Sequence, residues 1–240
     1  MKTSTMRRID AWLALPVCWA LTGLRKLADA LRRRGRPGRP RTILFVKPAE
    51  QGATVLAAPA IRRAVEMVGR RNVFFLTFAE NRFILDVMDL LPRENVLTIR
   101  TSGLLRVLVD TIGVLWRLRR RKVDAAVDFE FFARSSAILT YLSGAGIRVG
   151  LHRFDDPAPR RGDLMTHRVR FDGDLHAEQL FDSMVRAIVM DGLSLRGDTL
   201  PPPPLDRRVP PFRPTSEELA ELGRKLSSLS PAFSGLRYEG

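Results

Sequence analysis

Three short segments gather side chains able to bind or move charge. The first is Lys47-Pro48-Ala49-Glu50-Gln51-Gly52-Ala53-Thr54, which holds a cation, a carboxylate, an amide and a hydroxyl. Its glycine lets backbone come close to a sugar or phosphate. The segment is neither a P-loop nor GxGxxG, so its composition defines a binding loop without naming the ligand. The second is Asp128-Phe129-Glu130, followed by Arg134-Ser135-Ser136. Arg134 either faces a ligand crevice or is a solvated surface residue, the usual state of arginine. The third is Asp172-Gly173-Asp174, the spacing of a DxD metal pair. Hard cations take more oxygen ligands than two, so Asp174 is read as the cap of a helix starting near His176, and no metal is expected.

Other chemistries find less support. His152, His167 and His176 have no ligand spacing and are read as loop or surface residues. With Cys18 as the only cysteine, neither a zinc cluster nor an internal disulfide framework is available. A single cysteine also fits a reducing compartment.

The elements around these segments alternate. Strands are predicted at Ile43–Lys47, Asn72–Thr77, Val96–Ile99, Val123–Phe129 and Ile147–Gly150. Helices are predicted at Thr54–Val68, with Gly69 as its stop, and at Asn81–Leu90, Gly103–Leu118, Phe132–Leu142 and His176–Met190. Repeated strand-helix order implies an α/β, Rossmann-like, doubly wound parallel sheet. In such a sheet ligands bind at the carboxyl ends of the strands, which is where the first two segments fall. The helix N-terminus after the first adds a preference for anions. Residues 151–170 read as a polar loop. Seven prolines in residues 201–214 form an extended connector. Thr215 and Glu218 then form a capping box, and Leu219, Leu222, Leu226 and Leu229 make one helical face.

The chain has 240 residues, 45% of them hydrophobic, and a formal charge of +14. Disorder throughout is excluded, since disordered chains are poor in apolar residues. Residues 1–41 carry eleven basic and two acidic side chains, hence +9 of the total. Ala11 to Leu24 is uncharged, but fourteen residues are too few to span a bilayer, which needs about 20. Ile9, Trp12, Leu13, Val17, Ala20, Leu24, Leu27 and Leu31 recur at helical spacing. With Trp12 and Trp19 near one face, and Arg7, Arg8, Arg25 and Lys26 flanking it, the arm reads first as an amphipathic helix on an anionic membrane surface. The rival readings are a helix packed on the body and a signal peptide. The latter is opposed by Arg25-Lys26, which follow the apolar stretch directly. No nucleic-acid recognition motif accompanies the arginines. The cluster Arg117 to Lys122 reads as cations at a helix C-terminus.

ILFVKPAEQGATVLAAPAIRRAV resembles the opening strand, loop and helix of the heptosyltransferase-like glycosyltransferases of family 9. VDAAVDFEFFARSSAILTYLSGAGIRVGL resembles their fourth strand through fifth strand, and LHAEQLFDSMVRAIVMDGL a later helix. Together these cover about residues 41–195. The resemblance implies a two-domain GT-B architecture with an acceptor-side N-terminal domain and a nucleotide-sugar-binding C-terminal domain. It implies inverting transfer of a sugar, often a heptose from an ADP-sugar, onto lipopolysaccharide or a related glycan at the cytoplasmic face of the inner membrane, without a metal or other cofactor.

Two departures from the family pattern shape the expectation. The family has Gly-Asp in its first loop, with the Asp as presumed base; this sequence has Gly52-Ala53. Glu50 is the remaining carboxylate in that loop and the substitute candidate. Lys47, Gln51, Gly52, Thr54, Arg134 and Ser135 are then the candidate acceptor-binding residues. The sequence is also expected to stop before the donor domain. The expected organisation is a basic arm at residues 1–40, an acceptor-side domain at 41–196 and a linker with helix at 197–240. On this reading the isolated chain binds acceptor without completing transfer; the alternative is a non-catalytic acceptor-binding or membrane-surface module.

Overall fold

A computed structural model describes residues 14–31, 38–154, 161–190, 202–205 and 215–229. Two compact units divide the chain, Met1–Arg208 and Val209–Gly240. In the first, helix α1 (Ala14–Leu31) precedes β1 (Ile43–Val46), α2 (Gln51–Leu56), α3 (Ala58–Val68) and β2 (Val73–Phe78). Then come α4 (Arg82–Met88), β3 (Val96–Ile99), α5 (Leu104–Arg120), β4 (Ala125–Asp128) and α6 (Arg134–Leu142). The unit continues with β5 (Ile147–His152), β6 (His167–Arg170) and α7 (Ala177–Arg186).

The six strands form one parallel sheet in the order β3-β2-β1-β4-β5-β6. Parallel strands covered on both faces read as continuous apolar runs, and β1, Ile-Leu-Phe-Val, is buried throughout. Its alternate residues serve opposite layers. Ile43 and Phe45 join Val73, Phe75, Ala125 and Val127 under α3 and α7. Leu44 and Val46 join Phe74, Leu76 and Ala126 under α5. Phe45 stacks on Phe129, and Phe181 meets Phe129 at a tilt of 46°, each pair with ring centroids 4.7 Å apart, so aromatic packing ties β1 and the end of β4 to α7.

The structure shows the α/β, Rossmann-like sheet expected from the sequence, with three local differences. The helix predicted over Thr54–Val68 is two helices that meet at Ala57. Pro59 has no N–H with which to continue the ladder, and Ala57 N–H turns back to the carbonyls of Ala53 and Thr54, 3.2 Å from each. Gly69 does end the second helix, with φ 85°. The expected loop at 151–170 contains β6, whose residues His167 and Val169 are buried. An edge strand reading His-Arg-Val-Arg offers one apolar residue, too little for a sequence pattern. His167 is therefore a core residue: its Nδ1 lies 2.8 Å from Thr166 Oγ1 and its Nε2 3.0 Å from Met190 O. Finally, His176 rather than Asp174 caps α7, in a capping box with Gln179. Asp172 Oδ1 instead accepts the Asp174 N–H at 3.0 Å, closing a local turn.

Helix α1 packs on the body along one side. Cys18 lies against Ala137 and Leu164, with Leu21 beside them. Thr22 Oγ1 accepts the Asp163 N–H at 3.0 Å, and Arg25 pairs with Asp163, which also holds Arg168. Arg25 thus sits on the packed side at 14% exposure and not on a free basic flank. The opposite side carries Val17, Trp19, Leu24 and Leu27, all exposed, together with Lys26. Trp12, Arg7 and Arg8 lie outside the described residues. Among the described residues no helix is long and apolar enough to cross a membrane.

At the start of α5, the Arg100 side chain donates to both oxygens of Asp110, at 2.8 and 2.7 Å, and holds that carboxyl well below the usual carboxylate range. In the second unit, α8 (Ser216–Leu229) opens on the expected capping box. Thr215 N–H donates to Glu218 Oε2 at 2.7 Å and the Glu218 N–H to Thr215 Oγ1 at 3.2 Å. The backbone bond is the main cause of a lowered Glu218 pKa. Of the proline connector, only residues 202–205 are described.

Candidate functional site

The strand order reverses direction between β1 and β4, where Val46 is paired with Asp128. A doubly wound sheet opens a crevice at that point, outside the carboxyl ends of the strands. Both charged loops leave from there, and they are bonded to each other: the Ala49 N–H donates to Glu130 Oε1 at 2.8 Å.

Lys47 lies at the floor, fully buried. Its Nζ is 3.7 Å from Glu50 Oε2 and 3.8 Å from Glu130 Oε1, and reaches no hydrogen-bond partner. Buried donors are nearly always satisfied, so this ammonium, held by charge alone between two carboxylates, is an anomaly that a ligand oxygen would relieve. Glu50 is the outward member of the trio, with its side chain 64% exposed.

The backbone of Glu50 is in the left-handed region, φ 66°, and so is that of Phe132, φ 64°, in the facing loop. Side chains other than glycine adopt such angles at a cost of about 1–3 kcal/mol, and such residues cluster at ligand sites. The sequence places the need for conformational freedom at Gly52; the structure places it at Glu50. Gly52 is exposed, and a Cβ there would meet nothing within 4 Å. Its contribution is open space above the loop.

Two further candidates are spent on the scaffold. Thr54 is buried and its Oγ1 donates to Glu50 O at 3.2 Å, while Gln51 Nε2 donates to Glu80 O at 3.0 Å. They hold the strained loop. Arg134 and Ser135 open α6 across the crevice, half-buried and exposed respectively. Ala133 at the cap position has no side chain to offer, leaving the helix N-terminus with no side-chain cap.

Beneath Arg134 and Ser135 lies a buried set that joins Asp128, Glu130 and Ser136 of the second sequence segment to Arg161. Asp128 Oδ1 accepts the Glu130 N–H at 3.1 Å, and its Oδ2 accepts Ser136 Oγ at 3.0 Å and pairs with Arg161. Asp128 and Glu130 stood at a strand end in the sequence, but nothing there pointed to Arg161. Pro48 O accepts Asn81 Nδ2 at 2.6 Å, anchoring the first loop to the one after β2. Among the described residues no group of three or more His, Cys, Asp or Glu is placed to hold a metal. A separate cleft of about 320 Å³ lies between α3, α7 and residues 203–205. Arg63 and Asp182 bridge its lining, and Gln179 Nε2 donates to Pro203 O at 2.8 Å.

Strand order and crevice together define a Rossmann-like unit with a charged, partly strained site at the switch point. Its fold is that of the family 9, heptosyltransferase-like glycosyltransferases. The chain superposes on E. coli heptosyltransferase WaaC with ADP-2-deoxy-2-fluoro heptose at TM-score 0.51 and 13% identity, covering 62% of this chain and 49% of that one. For E. coli ADP-heptose lps heptosyltransferase II the TM-score is 0.52 and the identity 16%, covering 78% and 50%. For the glycosyl transferase family 9 protein from Veillonella parvula DSM 2008 they are 0.50 and 15%, covering 62% and 41%. The match thus spans half or less of the length of these solved chains. No protein-family model matches the sequence, and no curated protein matches it.

Proposed function

We propose that this chain is the acceptor-side part of an inverting, metal-independent glycosyltransferase of the heptosyltransferase type, working at the cytoplasmic face of the inner membrane. The observation that carries this reading is the buried Lys47 ammonium, without a hydrogen bond, between Glu50 and Glu130 at the switch-point crevice. The fold likeness supports the class of reaction, and solved structures of that fold hold ADP or an ADP-heptose analogue. By extension the donor here is an ADP-heptose-like nucleotide-sugar, bound by a second domain, and the acceptor is a lipopolysaccharide-type glycan.

Each crevice residue has a role. Lys47 and Arg134 bind acceptor phosphate or carboxylate groups, helped by the open N-terminus of α6 and by Ser135. Glu50 is the exposed carboxylate and takes the acceptor hydroxyl proton as the sugar carbon is attacked. Gln51 and Thr54 keep the Glu50 backbone in place, and Gly52 leaves room for the sugar.

Two measurements test this. Titration of the chain with a phosphorylated core glycan is expected to show binding that Arg134→Ala weakens; tight binding of the nucleotide-sugar with none of the glycan would overturn the acceptor-side reading. In a transfer assay with a donor-binding domain joined to the chain, Glu50→Gln is expected to lower turnover about 10²- to 10⁴-fold with acceptor binding kept. Normal turnover in that variant would remove Glu50 as the base. Ala53, where the family has an aspartate, favours the second reading of a non-catalytic acceptor-binding module, for which glycan binding persists and transfer never appears.

A further inference from the structure

Helix α5 carries an outward face on which no described element packs. Leu105, Leu108, Val109, Ile112 and Trp116 recur at helical spacing and so lie in one stripe. Each is between 55% and 74% exposed. The inner side of the helix, Val107, Val114 and Leu118, is already packed on the sheet. Single exposed apolar residues are ordinary on a protein surface, whereas a contiguous stripe marks an interaction surface.

The charges around the stripe identify the partner. The helix runs into Arg117, Arg119, Arg120, Arg121 and Lys122, all exposed. Its single acid, Asp110, is neutralised by Arg100. The Arg120 guanidinium lies 4.2 Å from the centre of the Trp116 ring, where stripe and cations meet. We propose that this face of α5 docks on an anionic lipid surface, with the apolar stripe below the headgroups and the arginine cluster among the phosphates. Large apolar side chains, a boundary tryptophan and cations level with them are the features of a helix lying in that plane.

Neighbouring elements connect α5 to a second exposed apolar face. Arg119 Nε donates to Leu142 O at 3.0 Å, joining α5 to the end of α6. Helix α1 packs on α6 and turns Trp19, Leu24 and Leu27 outward, with Lys26 beside them. Both helices thus leave an exposed apolar face with cations next to it. The sequence placed the apolar membrane-contacting face on the N-terminal arm; α5 supplies a second exposed apolar face.

Vesicle binding needs neither donor nor acceptor, so it is tested independently of sugar transfer. The full chain is sedimented with phosphatidylcholine vesicles containing phosphatidylglycerol, and with phosphatidylcholine alone. Strong partition to the anionic vesicles only is expected. Leu108→Asp/Ile112→Asp and Arg117→Glu/Arg120→Glu, all at outward positions, should each lower it by about tenfold or more. In a Trp12→Phe/Trp19→Phe chain, the emission of Trp116 should be quenched by brominated acyl chains. Parent-like partition of both double variants, or an unquenched Trp116 on bound protein, would overturn the proposal. So would self-association of the parent, abolished in the Leu108→Asp/Ile112→Asp chain, without vesicle binding; the stripe would then be an interface between copies.

Discussion

At Glu50 a single residue combines a strained backbone, an exposed carboxylate and a buried cation 3.7 Å away. Conformation and chemistry can be separated there. Glycine accepts φ 66° without the steric cost, which relieves about 1–3 kcal/mol, against an entropic cost of about 0.5–1 kcal/mol. Glu50→Gly is therefore expected to melt at the same temperature as the parent or slightly above it; under the base role proposed for Glu50 it should lose transfer as fully as Glu50→Gln. A thermal scan of the two variants checks this. A clear drop in melting temperature for the glycine variant would mean that the Glu50 side chain stabilises the loop more than its backbone strains it. Lys47 and Glu50 were legible in the sequence because they share one short loop, and the structure brings them together. Glu130 belongs to the same trio across 80 or more residues of chain, and only strand pairing could reveal that. Thr54 and Gln51 were legible as polar residues but not as scaffold, because their acceptors are backbone carbonyls set by the fold.

Among the elements, the docking of α1 depends on close approach at one point. Gly162 has φ 63°, and a Cβ there would lie 2.5 Å from Thr22 Oγ1 and 2.9 Å from Cys18 O. Gly162→Val is therefore expected to push α1 off α6 at a cost of about 1–3 kcal/mol. Cys18, fully buried in that contact, reports the event: its reaction with a thiol reagent should be slow in the parent and fast in the variant. Equal rates would show that α1 stays docked. Strands β1 to β4 were readable as apolar runs between helical repeats, since a two-sided buried sheet demands such runs, and β5, Ile-Arg-Val-Gly-Leu-His, from its place in the strand-helix alternation. Strand β6 was not, because an edge strand of two arginines, a histidine and a valine carries no such run. The packed side of α1 was equally hidden. Its apolar residues surround the helix, with Cys18 and Leu21 on one side and Trp19, Leu24 and Leu27 on the other, and amphipathicity alone does not say which side meets protein.

For the molecule as a whole, the crevice and the fold share a keystone in Asp128. It ends β4, accepts Ser136 Oγ from the first turn of α6, accepts the Glu130 N–H and pairs with Arg161 from the segment before β6. Three parts of the first unit thus meet on one carboxylate that is fully buried. Removing one partner of a buried ion pair leaves an uncompensated charge and costs about 3–5 kcal/mol, a large share of the about 5–15 kcal/mol that holds a typical protein folded. Asp128→Ala is therefore expected to shift the urea midpoint strongly downward with a similar slope, as one cooperative loss across sheet, α6 and the Arg161 segment. Asp128→Asn keeps the hydrogen-bond acceptor for Ser136 and should lose less. If both variants unfolded like the parent, the Arg161 pair would contribute no net stability, and the geometry of the α6 N-terminus would have to be maintained by packing under Phe129 and Ala137 alone.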